Sequence, residues 1–186
     1  MPNMGIGGFY QNAYKKDFSR DFQMRVTSIG PNVIKEEDGV YITSSVLPGY
    51  AIANQQVPFM GLQFNVPGSG NFPGSDSWAV TFRCDQQLNI REKLITWQKS
   101  IFNSFVNTAG ESTGAYGPKQ LDSVAQLTVF TRDGSEARGI RLVGIYPTTV
   151  GEVAYDTTGS GLPVTVQATL AYQWWEPNAT GGSVLG

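Results

Sequence analysis

The residues that could do chemistry are few, and their types do not combine into a reaction centre. The chain has no histidine and a single cysteine, Cys84. The commonest general base and the commonest imidazole metal ligand are therefore missing. Cys84 has no histidine to activate it and reads as a small buried hydrophobe. One cysteine forms no internal disulfide, which fits an intracellular assembly environment. Glu36, Glu37 and Asp38 stand together and could suggest metal binding or acid–base work. No spaced ligand set joins them and Gly39 follows, so they read as a solvated acidic turn. Gly5-Ile6-Gly7-Gly8 imitates a phosphate loop, but no strand precedes it and no Lys-Ser/Thr follows. Trp78, Trp97, Trp174 and Trp175 could offer stacking platforms for sugar rings, as in a carbohydrate-binding β-sandwich. A module of that kind would be monomeric, with ligand-dependent tryptophan fluorescence. No catalytic, cofactor-binding or metal residue is assigned, and the chain reads as a non-enzyme.

Composition narrows the class. At 186 residues the chain is most simply one domain, long enough to bury a real core. Charged residues are 15% of the chain, against roughly 25% in ordinary domains. Glycine is abundant, at 22 residues. The formal charge of -2 offers no basic field to grip nucleic acid. No apolar run approaches the roughly 20 residues of a membrane span, and residues 1–14 lack the apolar core of a signal peptide.

The elements follow from periodicity. Residues 1–20 are Gly-, Asn- and aromatic-rich and read as an arm, unstructured alone, that Phe9, Tyr10 and Tyr14 would dock on a neighbouring subunit. Phe22, Met24 and Val26 alternate as a first strand, broken at Gly30-Pro31-Asn32. Residues 40–47 alternate, with Val40, Ile42 and Val46 on one face and Thr43 and Ser45 on the other. Residues 50–57 return after Leu47-Pro48-Gly49. Leu62, Phe64 and Val66 start a third apolar stripe, and Trp78, Val80, Phe82 and Cys84 answer it on a fourth strand, across a long loop at 67–77. The one convincing helix spans 85–107. Ile90, Leu94, Trp97, Ile101 and Phe105 form its apolar face, and either Asp85 or Asn89 caps it. A Gly/Ser/Thr loop covers 108–119. Asp133-Gly134 signals a hairpin between strands at 124–130 and 139–146.

Two stretches lack charge altogether: the residues between Gly39 and Ser75, and those from Leu162 to Trp175. Strand edges exposed to solvent are ordinarily guarded by charge. Either both edges are covered within the monomer, or they pair with another copy.

Residues 142–177 organise the rest. Tyr146-Pro147 fixes a corner, Gly151 lets the chain leave it, and one long alternating strand runs from Leu162 to Trp174-Trp175-Glu176. The run from Tyr146 to Glu152, with that aromatic-Trp-Glu ending, resembles the tail tube proteins of contractile-tailed bacteriophages. So does Trp78-Ala79-Val80-Thr81-Phe82 leading into a helix with Ile95-Thr96-Trp97-Gln98, and so does Leu47-Pro48-Gly49. The resemblance covers roughly residues 22–176 in the same order. Tyr146 departs from it, standing where the family pattern has Trp.

The resulting expectation is a mainly β fold, a β-sandwich or small barrel with one packed α-helix. It has an arm at 1–20, a β domain at 21–176 and a tail at 177–186. The resemblance implies that it oligomerises into hexameric rings, each closing a large β-barrel, which stack into the inner tube of a contractile tail. It also implies the partners: further copies of the chain, the tail sheath, the tape-measure protein, a baseplate tube initiator, and DNA passing non-specifically, with no membrane insertion and no cofactor. Thr43, Ser45, Asn54 and Gln56 are expected to line the channel. Leu62, Phe64, Val66, Trp78, Val80 and Phe82 are expected in an interface or core hairpin, and Arg91, Lys93 and Lys99 on a helix face towards the sheath. A tube in a secretion or injection particle, or a baseplate tube segment, is the related alternative.

Overall fold

The structure, a computed structural model, describes residues 5–15, 18–103, 108–109, 123–159 and 161–178. In chain order the elements are α1 (Ile6–Lys15), β1 (Met24–Ile29), a 3-10 turn (Glu36–Tyr41), β2 (Ile42–Ser45), β3 (Ala51–Phe59), β4 (Leu62–Asn71), β5 (Trp78–Arg83), α2 (Asn89–Ile101), β6 (Phe102–Asn103) and β7 (Thr108–Ala109). There follow β8 (Val124–Phe130), β9 (Glu136–Val143), β10 (Tyr146–Val150), β11 (Thr165–Ala171) and β12 (Trp174–Asn178).

Two antiparallel four-stranded sheets, ordered β1-β8-β9-β12 and β10-β11-β5-β2, share one core. Alternation places Val26, Ala125, Leu127, Ile140 and Leu142 inside from the first sheet and Trp78, Val80, Phe82, Val166, Ala168 and Leu170 from the second. Helix α2 closes the core with Ile90, Leu94 and Trp97, the stripe its spacing predicts. Ile101 is half-buried at its end; Phe105 lies outside the described residues. The helix is anchored to the second sheet, where the Gln98 side chain donates to the Thr148 carbonyl at 2.9 Å. Trp97 packs on Gly30, whose φ of 70° is left-handed and whose absent Cβ would sit 2.8 Å from the indole.

The long final strand expected from 162 to 175 is two strands. β10 pairs with β11, Tyr146 facing Ala171, and β9 pairs with β12, Val143 facing Trp174. Both arms of this antiparallel ribbon bend together, one at Gly144–Ile145 and the other at Tyr172–Gln173, and pass from one sheet to the other. The bend sits at Gly144, φ 69°, rather than at Tyr146-Pro147, which lies inside β10. Folding the ribbon across the core buries Leu170, Ala171 and Tyr172 in succession, breaking the period of two.

Other expectations change as well. Residues 36–41 are a 3-10 turn, so Val40 leaves the strand and points outward, 70% exposed. Val46 is exposed too, and only Ile42 of that trio packs against the core. Phe22 lies before β1 and is exposed. The N-terminal arm is helical over Ile6–Lys15 rather than unstructured. Residues 110–119 of the expected loop and 179–186 of the tail lie outside the described residues. None of the helices among the described residues is long and apolar enough to cross a membrane.

Candidate assembly interface

The uncharged stretch after Gly39 forms a two-stranded arm. Among the described residues β3 and β4 pair only with each other, from Ala51 opposite Asn71 to Phe59 opposite Leu62, around a tight turn at Met60-Gly61. Both turn residues have positive φ, 49° and 79°, the geometry that matches strand twist in two-residue hairpins. At about 3.4 Å per residue the longer strand extends roughly 30 Å. Almost every residue of the arm is exposed on both faces.

The register sorts the arm into two chemically distinct faces. Residues opposite one another share a face. One face carries Asn54 with Pro67, Gln56 with Asn65, and Pro58 with Gln63. The other carries Gln55 with Val66, Val57 with Phe64, and Phe59 with Leu62. The ribbon is thus polar but uncharged on one side and apolar on the other. A β-bulge between Ile52 and Asn54 resets the phase near its base.

An aromatic clamp holds that base. The Trp175 indole N–H donates to the Gly49 carbonyl at 2.8 Å, and the Trp78 indole N–H to the Val46 carbonyl at 2.8 Å. Tyr50, Phe72 and Trp175 pack edge to face, with ring centres 5.5 and 6.5 Å apart. Trp78 and Trp97 are buried and Trp174 and Trp175 half-buried, so they do not form an exposed row of sugar platforms.

The sequence-derived groups fall as follows. Leu62, Phe64 and Val66 lie on the exposed apolar face of the arm, whereas Trp78, Val80 and Phe82 sit in the core at β5, between β11 and β2. The two trios do not share a hairpin, because β4 turns back on β3 instead of pairing with β5. Asn54 and Gln56 lie together on the arm's polar face. Thr43 and Ser45 are elsewhere, on edge strand β2. Thr43 is exposed at a bulge, its hydroxyl donating to the Thr81 carbonyl at 3.1 Å. The edges of β1 and β2, unpaired among the described residues, border a groove of about 760 Å³ lined by Phe22, Met24, Val40, Ile42 and Thr43.

On the helix, Arg91 is half-buried beside Glu92 and Lys99 is exposed. Lys93 is not a free outer-face cation. Its ammonium donates to both Asp38 carboxylate oxygens, at 2.8 and 3.0 Å. Asp38, 8% exposed, also accepts from the Lys35 backbone N–H at 3.1 Å. Burial alone would raise its pKa, but the bonds from Lys93 and Lys35 outweigh it and hold the carboxyl below its usual value. The acidic turn is therefore a structural tie between the 3-10 turn and α2. Sequence reasoning missed it because Asp38 and Lys93 are 55 residues apart.

This fold recurs in solved components of contractile injection machines. The chain is similar to the tube-terminating cap of the anti-feeding prophage, with a TM-score of 0.59 and 14% identity, covering 87% of this chain and 91% of that one. It is also similar to the sheath/tube terminator of the extracellular contractile injection system PVC, with a TM-score of 0.54 and 15% identity over 86% of this chain and 96% of that one. At these identities the likeness speaks for the fold.

Sequence carries the relation further. The chain is homologous to the tail tube protein gp19 of Enterobacteria phage T4, 28% identical over 163 residues, which span 86% of this chain and 92% of that protein. The tail tube protein gp19 of phage T6 is 27% identical over the same share of each chain. No protein-family model matches the chain.

Proposed function

We propose that this chain is the structural tube protein of a contractile phage tail. The observation that carries the reading is homology to phage tail tube proteins across nearly their whole length. The uncharged, unpaired arm and the free edges of β1 and β2 supply a physical route to assembly. Closing strand edges between copies removes them from solvent and builds a barrel larger than any one chain can. Six copies make a ring, and stacked rings make the tube.

In this reading the polar, uncharged side chains Asn54, Gln56 and Thr43 face the lumen, while Ser45, opposite the buried Val80 past the β2 bulge, turns towards the core with its hydroxyl oxygen buried. Dense Lys or Arg there would hold the DNA backbone and add salt-dependent affinity, so an uncharged wall suits a conduit. The sheath surrounds the ring on the α2 side, with Arg91 and Lys99 at that surface; Lys93 serves α2 itself. The tape-measure protein occupies the lumen before DNA does, a baseplate initiator starts the first ring, and assembly takes place in the host cytoplasm. The role is structural and uses no cofactor.

Negative-stain microscopy and sedimentation of the purified chain test this directly: rings or tubes are expected. A chain that stays monomeric at every concentration, with baseplate initiator present, would refute it. In Thr43→Lys, tubes should form normally while DNA ejection slows and becomes salt-dependent. Unchanged ejection through such tubes would remove Thr43 from the lumen.

A further inference from the structure

Helix α1 is short, contains Gly7 and Gly8, and buries none of its residues. Its ten residues fall below the length at which an isolated helix is stable in water, and each glycine weakens it further. Its apolar side chains nevertheless keep strict helical spacing. Ile6, Phe9, Tyr10, Ala13 and Tyr14 form one face, while Gly7, Gln11, Asn12 and Lys15 lie away from it. Ile6, Phe9, Tyr10 and Tyr14 are all exposed, Tyr14 by 93%. A helix of this kind requires a cover.

The β3–β4 arm has the matching deficiency. A lone two-stranded ribbon is marginal in water. Its apolar face, Val57, Phe59, Leu62, Phe64 and Val66, stands open to solvent.

We propose that α1 of one copy lies along the apolar face of the β3–β4 arm of a second copy of this chain. The proposal rests on the tube reading and names the contact that covers the arm's outer face. Three features point to that occupant. The lengths match: ten helical residues span about 15 Å, and the three rows of the apolar face, Gln55–Val66, Val57–Phe64 and Phe59–Leu62, take up five residues of strand, roughly 17 Å. The widths match, since two strands some 5 Å apart present a strip about as wide as one helix. The electrostatics match, because the arm carries no charge and Lys15 is the one charged residue of α1, at its end away from the apolar run. The areas suit an assembly contact. Three largely exposed aromatics and an isoleucine offer roughly 500 Å² of helix surface. That is over half of what one partner contributes to a standard interface, and strand-edge pairing adds the rest. The polar face of the arm stays uncovered, so the same ribbon can still present Asn54 and Gln56 to the lumen.

The test uses two full-length chains in a Cys84→Ser background, one carrying Tyr10→Cys and the other Phe64→Cys. They are mixed, assembled and treated with a short bismaleimide. Covalent heterodimers are expected in assembled rings, at least tenfold more than when Gln11→Cys, on the opposite helix face, replaces Tyr10→Cys. Should Tyr10→Cys itself weaken assembly, Ala13→Cys takes its place on the same face. Rings that form normally but cross-link no better from position 10 or 13 than from 11 overturn the inference and leave the tube reading intact. A third chain carrying both Tyr10→Cys and Phe64→Cys serves as control: cross-linking that appears only within that chain, and not between the two single-cysteine chains, overturns the inference as well. Wild-type chain that never assembles sinks the tube reading and this inference with it.

Discussion

The Asp38–Lys93 tie offers a quantitative test of how the outer helix is held. In Lys93→Ala, the largely buried Asp38 carboxylate keeps only the Lys35 N–H at 3.1 Å and loses two charge-assisted bonds at 2.8 and 3.0 Å. Hydrogen bonds to charged groups contribute about 1.5–3 kcal/mol when buried, and exposed ion pairs about 0.2–1 kcal/mol. The lysine side chain is 42% exposed and the aspartate side chain 12%, so this pair lies between those limits. A loss of about 1–2 kcal/mol is expected. That corresponds to a fall in Tm of about 2–8 °C for a domain of this size. Asp38→Ala should cost about 1 kcal/mol more, because the backbone cap at Lys35 goes as well. The exposed Lys99→Ala should stay within about 0.5 kcal/mol. The pH dependence has a definite sign. The folded pKa of Asp38 lies below its unfolded value, so the stabilisation is present above that unfolded value, near 3.8, and is lost as pH falls through the folded pKa. Urea melts of the wild type, both single variants and the double variant at pH 7 and pH 3 measure all of this. A double-mutant coupling near zero at pH 7, with Lys93→Ala no worse than Lys99→Ala, would show that the tie contributes nothing.

Three further outcomes follow from the fold. Leu94→Ala empties a fully buried site under α2 and should cost about 2–5 kcal/mol in a denaturant melt; a cost below about 1 kcal/mol would show that the helix is loosely seated. Leu62→Asp changes a residue 63% exposed on the arm, so the thermal midpoint of the dispersed chain should hold while sedimentation shows assembly lost; destabilised monomer with intact rings would reverse that assignment. Trp175→Phe keeps an aromatic ring, smaller than the indole, but removes the N–H donor to Gly49, and hydrogen exchange at the base of the arm should speed up far more than global stability falls.

Local pattern was enough for much of this chain. Period-two runs at Trp78, Val80 and Phe82, and at Val166, Ala168 and Leu170, could only be strands with one buried face. The spacing of Ile90, Leu94 and Trp97 could only be a helix on a core, and Asp133-Gly134 could only be a turn. The absence of charge from Gly39 to Ser75 already marked that stretch as unguarded, whereas the pairing register of the folded arm was needed to set Asn54 and Gln56 on a face opposite Leu62, Phe64 and Val66. Three further features needed the tertiary structure, because each depends on residues far apart in sequence. Alternation cannot say which strand is a neighbour, so the stripe at Leu62 could not be known to turn back on β3 and leave β5. Nor can it show that one long strand changes sheets, since the bend at Tyr172 lies opposite the bend at Gly144 on a partner strand distant in sequence. A charge on a helix reads as solvated until another element arrives beside it, and it is the folded chain that brings Asp38 to Lys93.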